Sequence, residues 1–290
     1  MSERKVALVT GASRGAGAGI ARGFGELGYI VYVTGRTVTP GAALGWDGSV
    51  LPGTVAETAA RVTALGGEGI PVLCDHADDG QVARLFEQIE TEQGRLDVLV
   101  NNAAMIHHQL IEKKPFWDKE LEAVGIIDVG LRSSYVASWH AAKLMVQQGS
   151  GLIGFTSSFG ASCYMHGPAY GAQKAGIDKL AHDMEHDLRG SGVIAVSLWL
   201  GMQVTERSAI ASKTNPEQYK DFLAMAENPE FSAHILDAIA TAPNRDELSG
   251  QTLIGAEIAH ELGVTDRGQE RISHREMLGS PRPKNPAAVY

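Results

Sequence analysis

The sequence predicts an α/β protein, with one domain built around a doubly wound parallel sheet. Three observations predict it. Short apolar runs of β-type residues alternate with stretches whose apolar residues recur at helical spacing, from Lys5 to about Leu262. A glycine-rich turn, Thr10-Gly-Ala-Ser-Arg-Gly-Ala-Gly17, separates the first strand from the first helix. That order brings backbone N–H groups and a helix N-terminus against a phosphate, as in Rossmann-type dinucleotide folds. No linker rich in Pro, Gly or Ser divides the 290 residues and no repeat recurs, so 1–290 reads as a single domain.

Lys5-Val-Ala-Leu-Val9 is the first strand, and Ala18 to Leu27 is the helix behind the turn. Gly11 permits the tight bend, while Gly15 and Gly17 let backbone and ligand approach closely. Tyr29 to Thr34 is the second strand, and it ends in Gly35-Arg36. At this end of a dinucleotide fold an acidic residue binds the ribose 2′-hydroxyl of NAD, whereas an arginine accommodates the 2′-phosphate of NADP. Arg36 and Arg14 therefore favour NADP(H), with NAD(H) the second choice; the competing reading makes both arginines solvated surface residues. Residues 38–53 carry two Pro-Gly pairs and no periodicity, and read as an extended loop. Thr54 caps a helix through Leu65, with Glu57 as its capping-box partner. Ile70 to Cys74 is the third strand; Asp75 and His76 follow it at the adenine end. Asp79 to Gln93 is an amphipathic helix, and Leu96 to Val100 is the fourth strand, running into Asn101-Asn102-Ala103-Ala104.

Met105 to Trp117 follows the carboxyl end of a strand, where ligands bind in open parallel sheets. His107 and His108 are adjacent there, but the sequence places no third ligand beside them, so no metal is expected. One long helix is expected over roughly 119–148, a buried strand over 151–157, a helix through Tyr170 to about Arg189, and a strand over 192–199. Leu200-Gly201-Met202-Gln203 then opens an irregular substrate loop, about 202–245, with short helices near 216–227 and 230–242. Residues 251–254 close the sheet, a helix covers 256–262, and a tail of about 268–290 lies across the surface.

The chemistry-bearing stretch is Ser157 followed by Tyr170 and Lys174. Tyr170 and Lys174 are four residues apart, so on a helix they share a face. A free phenol, with a pKa of about 10, is a poor acid or base at neutral pH, and a neighbouring ammonium is expected to lower it. Ser157, thirteen residues before Tyr170, is positioned to hold a substrate oxygen while Tyr170 moves the proton. Taken alone, a Tyr-x-x-x-Lys spacing recurs by chance in many helices; the N-terminal glycine turn gives it weight.

A formal charge of −9 and the lack of any basic stripe argue against a nucleic-acid partner. No apolar run reaches membrane-spanning length, the N-terminus lacks a signal peptide's apolar core, and the two cysteines match no metal spacing. A cytoplasmic protein with a small-molecule substrate is expected.

In their order, Thr10-Gly-Ala-Ser-Arg-Gly-Ala-Gly17, Asn101-Asn-Ala103, Ser157 and Tyr170-x-x-x-Lys174 resemble the short-chain dehydrogenase/reductases over roughly residues 5–265. Val129-Gly-Leu-Arg132, Ser197-Leu-Trp199 and the 38–53 loop are similar to the branch around dehydrogenase/reductase member 1 and its bacterial relatives. The resemblance implies an NADP(H)-dependent enzyme interconverting a carbonyl and an alcohol, a carbonyl reductase or alcohol dehydrogenase. In it Tyr170 is general acid or base, Ser157 polarises the substrate oxygen, and Lys174 bonds the nicotinamide ribose and lowers the Tyr170 pKa. Gly11, Ser13, Arg14, Gly15, Ala16, Gly17, Arg36, Asp75, His76, Asn102, Ala103, Gly201 and Gln203, with Tyr170 and Lys174, would hold the cofactor, and Asn101 would support it. A homodimer or homotetramer through the helices 119–148 and 170–189 is also implied. Three positions depart from the family pattern: Gly130 stands where a relay asparagine is usual, Leu200 where proline is usual, and Ala104 where glycine is usual. The first leaves a second reading open, a catalytically impaired dinucleotide sensor or scaffold; dehydration or epimerisation on the same scaffold is a third. Met105, Ile106, Phe159, Tyr164, Met165 and Met202 form the expected substrate wall, which suits an apolar or aromatic small molecule.

Overall fold

In chain order the strands are β1 (Val6–Val9), β2 (Ile30–Gly35), β3 (Ala43–Leu44), β4 (Val50–Leu51), β5 (Glu68–Leu73), β6 (Val98–Asn101), β7 (Gly151–Ser157), β8 (Val193–Trp199) and β9 (Thr252–Ile254). The helices are α1 (Gly15–Glu26), α2 (Val55–Ala64), α3 (Asp79–Gln93), α4 (Ser133–Gln148), α5 (Pro168–Leu188), α6 (Glu206–Thr214), α7 (Pro216–Ala224), α8 (Phe231–Thr241), α9 (Arg245–Leu248), α10 (Gly255–Glu261) and α11 (Arg275–Leu278). This computed structural model describes residues 4–45, 47–214, 216–285 and 287–289. Residues 1–3 and 290 of the expected domain, Trp46 of the 38–53 loop, Asn215 of the 202–245 loop, and Pro286 and Tyr290 of the tail lie outside the described residues.

Seven strands form one parallel sheet in the order β5-β2-β1-β6-β7-β8-β9. Strand order reverses between β1 and β6, so the loops after these two strands part and leave a crevice at their carboxyl ends. Side chains alternate across the sheet. Ala7 and Val9 of β1 pack with Ile20, Phe24, Val62 and Phe231 on one face; Val6 and Leu8 pack with Leu85, Ile89, Met145 and Ile177 on the other. With both faces covered, β1, β6, β7 and β8 are buried along their whole length, which is why they read as continuous apolar runs.

Several expected elements differ. The third strand begins at Glu68 rather than Ile70 and contains Pro71. Its edge position explains both, since an edge strand tolerates a proline's missing donor. The 38–53 loop contains the short antiparallel pair β3–β4. The 202–245 loop is largely helical, with α6 unforeseen. The expected 119–148 helix is broken: 3-10 turns at Phe116–Asp118 and Leu121–Val124 lead into a π-type segment, Ile127–Arg132, and α4 begins only at Ser133. Nor does the tail simply lie on the surface. Arg271 Nε pairs with the buried Asp266 (2.7 Å), Ser273 Oγ donates to Glu257 (2.6 Å), and Leu278 packs against the Phe159–Trp199 cluster.

Candidate active site

A cleft of about 570 Å³ runs along the carboxyl ends of the central strands. Gly11, Ser13, Arg14, Gly15, Ala16 and Gly17 line it from the glycine turn, and Arg36, Asp75 and His76 from the ends of β2 and β5. Asn102 and Ala103 lie beyond β6, Gly201 and Gln203 beyond β8, and Ser157, Tyr170 and Lys174 face the inner end. One cleft thus gathers the three expected catalytic residues and the residues expected to hold the cofactor, Asn101 excepted.

The turn is tied from behind. Thr10 Oγ1 accepts the N–H groups of Asn102 (2.9 Å) and Ala103 (3.0 Å), and Asn102 Nδ2 donates to the carbonyls of Thr10 (2.9 Å) and Gly11 (3.2 Å). A Cβ on Gly11, whose φ is +66°, would lie 2.7 Å from Ala103 Cα, and one on Gly17 would lie 2.4 Å from Asn102 Nδ2; neither position admits a side chain. Asn101 corrects an expectation. Its side chain is buried and donates to Ser138 Oγ (2.9 Å), so it turns into the core, and the supporting amide is that of Asn102.

Gly15 N–H, at the start of α1, donates to the Glu206 carboxylate (3.1 Å). The turn therefore already holds an anionic oxygen, and its donors fit the phosphates of a dinucleotide. At the adenosine end Arg36 is largely exposed, with Nη1 3.9 Å from Asp75 Oδ2. Arg14 is engaged differently: it donates to the carbonyls of Pro52 (3.1 Å) and Gly53 (2.8 Å), clamping the 38–53 loop beside Glu206 and Arg207. His76 Nε2 lies 2.8 Å from Thr34 Oγ1, and burial pushes its pKa down to about 4, so the ring is neutral. Beneath Gly201, the buried Glu227 carboxylate accepts Gly201 N–H (3.1 Å) and Gln203 Nε2–H (2.7 Å). Burial raises its pKa to about 7.

α5 begins at Pro168, a residue pre-set for the first helical turn, and it presents Tyr170 and Lys174 on one face. Tyr170 Oη is 2.9 Å from Ser158 Oγ. Ser157, the serine expected to work with Tyr170, instead directs Oγ to the Lys174 carbonyl (3.4 Å). Successive side chains of an extended segment point to opposite sides, so only one of two adjacent serines meets the tyrosine. Lys174 Nζ donates to Thr156 O (3.0 Å) and stands 5.6 Å from the Tyr170 ring centre. Burial lowers the Lys174 pKa to about 8. The expected lowering of the Tyr170 pKa is reversed: burial raises it, and the Ser158 hydrogen bond opposes that only in part.

Past Tyr170 a second, mainly apolar cavity of about 390 Å³ opens, sharing Met105, Leu110, Ile126 and His166 with the cleft. Of the expected substrate wall, Met105 and Ile106 line the cleft and Tyr164 lines this cavity. Phe159 instead packs on Trp199 in the core (5.0 Å between ring centres), and Met165 packs beside that cluster. Met202 lines neither space. His166, the last residue of the expected 159–166 stretch of the wall, sits edge-on to the Tyr170 ring at 5.0 Å with φ +59°, a backbone conformation uncommon outside glycine.

The chain does bring a third potential ligand to the histidine pair: Glu120 lies 3.2 Å from His107 Nε2 and 3.6 Å from His108 Nε2. Gln109 N–H donates to His107 Nδ1 (3.3 Å), so Nε2 is the ring nitrogen that faces the carboxylate. The expectation that no third ligand stands beside the histidines is thereby corrected: the three side chains offer donor atoms within 4.8 Å of one another.

Gly130 lies in the break before α4, with φ +153°. A Cβ there would meet the Gln173 side chain at 3.1 Å. The carbonyls flanking this position are engaged, Val129 O by Met105 N–H (2.7 Å) and Gly130 O by Ser134 Oγ–H (2.7 Å). Gln173 is buried, and its Oε1 has no hydrogen-bond partner. Leu200 keeps an N–H that donates to Ser157 O (3.1 Å), a bond proline cannot make, and Ala104 retains a negative φ.

Residues 5–216 match the sequence profile of the short chain dehydrogenase family. The chain is 40% identical over 273 residues to dehydrogenase/reductase SDR family member 1 of Mus musculus, covering 90% of this chain and 83% of that protein. A solved structure from Beutenbergia cavernae, assigned as an NAD(P)-dependent gluconate 5-dehydrogenase with bound NADP, superposes with a TM-score of 0.70 at 27% identity, covering 87% of this chain and 94% of that one. A dehydrogenase structure from Xanthomonas campestris shares the fold, with a TM-score of 0.75 at 22% identity over 98% of both chains.

Proposed function

This chain belongs to the short-chain dehydrogenase family, and from that premise we propose that it is an NADP(H)-dependent oxidoreductase interconverting a carbonyl and an alcohol on an apolar or aromatic small molecule. A nicotinamide dinucleotide is the cofactor of the family, and the chain is an oxidoreductase within it. One observation carries the finer reading: Tyr170 stands between the cleft and the apolar cavity, with Ser158 Oγ at 2.9 Å and Lys174 one helical turn on.

A nicotinamide held in the cleft would supply or take the hydride. Tyr170 gives its proton to the carbonyl oxygen in reduction and takes it back in oxidation, and its raised pKa keeps the phenol protonated, as an acid requires. Ser158, rather than the expected Ser157, holds the substrate oxygen beside Tyr170 Oη. The Lys174 ammonium stabilises negative charge as the phenol gives up its proton. Arg36, exposed at the end of β2 beside Asp75, would read the 2′-phosphate and make NADP(H) the preferred cofactor and NAD(H) the second choice, with Arg14 nearby in the glycine turn. The glycine turn would hold the pyrophosphate, and Asp75 and His76 would flank the adenine.

The whole chain is proposed to act as one catalytic unit, as a homodimer or homotetramer joined through the outer faces of α4 and α5. Tyr135, Trp139 and Val146 are about half exposed on α4. A cytoplasmic location belongs to the same proposal, supported by two free cysteines. Among the described residues no helix is long and apolar enough to cross a membrane.

Fluorescence titration with NADPH and NADH, followed by a Tyr170→Phe variant, tests this reading. Tighter NADPH binding, retained in the variant while turnover of ketones and aldehydes is lost, is the expected result. Binding without turnover in the unmodified protein would favour a dinucleotide sensor, the alternative that Gly130 keeps open.

A further inference from the structure

Tyr170, Lys174 and Asp178 follow one another at four-residue intervals along α5, so their side chains share one face of the helix. Asp178 lies on the side of Lys174 away from Tyr170. Its carboxylate accepts hydrogen bonds from Ser197 Oγ (2.6 Å) and Trp199 Nε1 (2.9 Å) of β8, and the Ser157 hydroxyl is a third partner. A carboxylate in such surroundings is expensive to keep charged unless donors and an opposite charge face it. Both do: two fixed donors come from β8, the Ser157 hydroxyl at the end of β7 lies within reach beside them, and the Lys174 ammonium lies within electrostatic reach on the same helix.

We propose that Asp178 is a positioning residue of the reaction, whose carboxylate, held by Ser197, Trp199 and Ser157, keeps the Lys174 ammonium charged inside the site. The proposal rests on the reading of Tyr170 and Lys174 as an acting pair. It also accounts for Ser157, whose hydroxyl turns from the tyrosine to this network. Lys174 has one fixed hydrogen bond, to Thr156 O, and a backbone carbonyl brings no net charge to offset burial. Asp178 is the charge that opposes the loss of its proton, and burial still brings that loss down to about pH 8. The ionisable groups facing Asp178 among the described residues are Lys174 and, from the tail, Lys284. β7 and β8 contribute only hydroxyls and an indole. Lys284 is exposed overall, although partial burial lowers its pKa to about 8, so it too faces Asp178 as a cation below that pH.

The experiment compares wild type with Asp178→Asn by NMR titration of 13C-labelled lysine side chains, the Lys174 signal being assigned with Lys174→Arg. Lys174 is expected to lose its proton about one pH unit lower in the variant. The alkaline limb of kcat for carbonyl reduction should move down with it, NADPH affinity should change little, and Asp178→Glu should restore both. A Lys174 titration that stays in place overturns the proposal. A titration that moves, in a wild-type protein that reduces no carbonyl compound, sinks the functional reading instead and leaves the charge coupling standing. Should Asp178→Asn fail to fold, Ser197→Ala tests the same link from the acid side. Stripping one donor lets Asp178 take up its proton at higher pH, so the acid-side loss of activity should move upward; an unmoved acid limb counts equally against the proposal.

Discussion

Ser157 and Ser158 end β7 as neighbours with opposite duties, one tied to the carbonyl of Lys174 and the other to the hydroxyl of Tyr170. The difference is measurable. Ser158→Ala removes the hydroxyl beside the reacting oxygen and should lower kcat by about 10²-fold, in the range of a lost oxyanion donor. Ser157→Ala should cost activity less and shift its pH dependence, because it touches only the network behind Lys174. Steady-state kinetics of the two variants settles which serine holds the substrate, and the reverse order of losses would return that duty to Ser157. The sequence carried both serines, the tyrosine and the lysine at usable spacing. It could not say which serine turns inward, since that depends on where β7 ends and the chain bends. Asp178 was legible only as a residue four beyond Lys174; its donors come from another strand. Asn101 and Asn102 posed the same problem, two adjacent amides on opposite sides of one strand end.

At the scale of elements, the break before α4 decides how the wall opposite Tyr170 is built. Apolar residues run through Ile126, Ile127, Val129 and Leu131 at a spacing compatible with a helix, so the sequence reads straight through. The structure departs at Val129 and Gly130, where φ +153° suits glycine alone and Gln173 fills the space above. Gly130→Ala should therefore destabilise the fold by about 1–3 kcal/mol, the range for a side chain forced into such a conformation. In a continuous helix the same substitution would stabilise, by about 1 kcal/mol. Urea denaturation separates the two signs. α6 was missed for a related reason: Glu206-Arg-Ser-Ala-Ile-Ala-Ser-Lys-Thr214 buries only Ile210 and Ala211 among its described side chains and shows no apolar stripe. The seven strands of the parallel sheet and the helices α1, α2, α3 and α5 were legible because each packs into the two-sided core.

Over the whole molecule, one buried acid links stability to pH. Glu227 has a pKa of about 7 when folded against 4.5 ordinarily. Between those values the folded chain keeps a proton that the unfolded chain has released, so this group's contribution falls as pH rises through the window and its full cost is present above it. Glu227→Gln should gain on wild type as pH rises from about 5 to 8, by on the order of 1–3 kcal/mol, read from unfolding midpoints across that range. A difference that does not change with pH would mean that the carboxyl is ionised throughout. The same molecule-wide view bears on how fast a nucleotide gets in. Glu206 rests on Gly15 N–H while Arg14 grips the Pro52-Gly53 backbone, so two segments distant in sequence close over one anion cradle. A nucleotide arriving by diffusion must wait for that latch to release. In stopped-flow mixing the observed association rate should climb with NADPH concentration and then level off at the opening rate, and Glu206→Gln should raise that plateau.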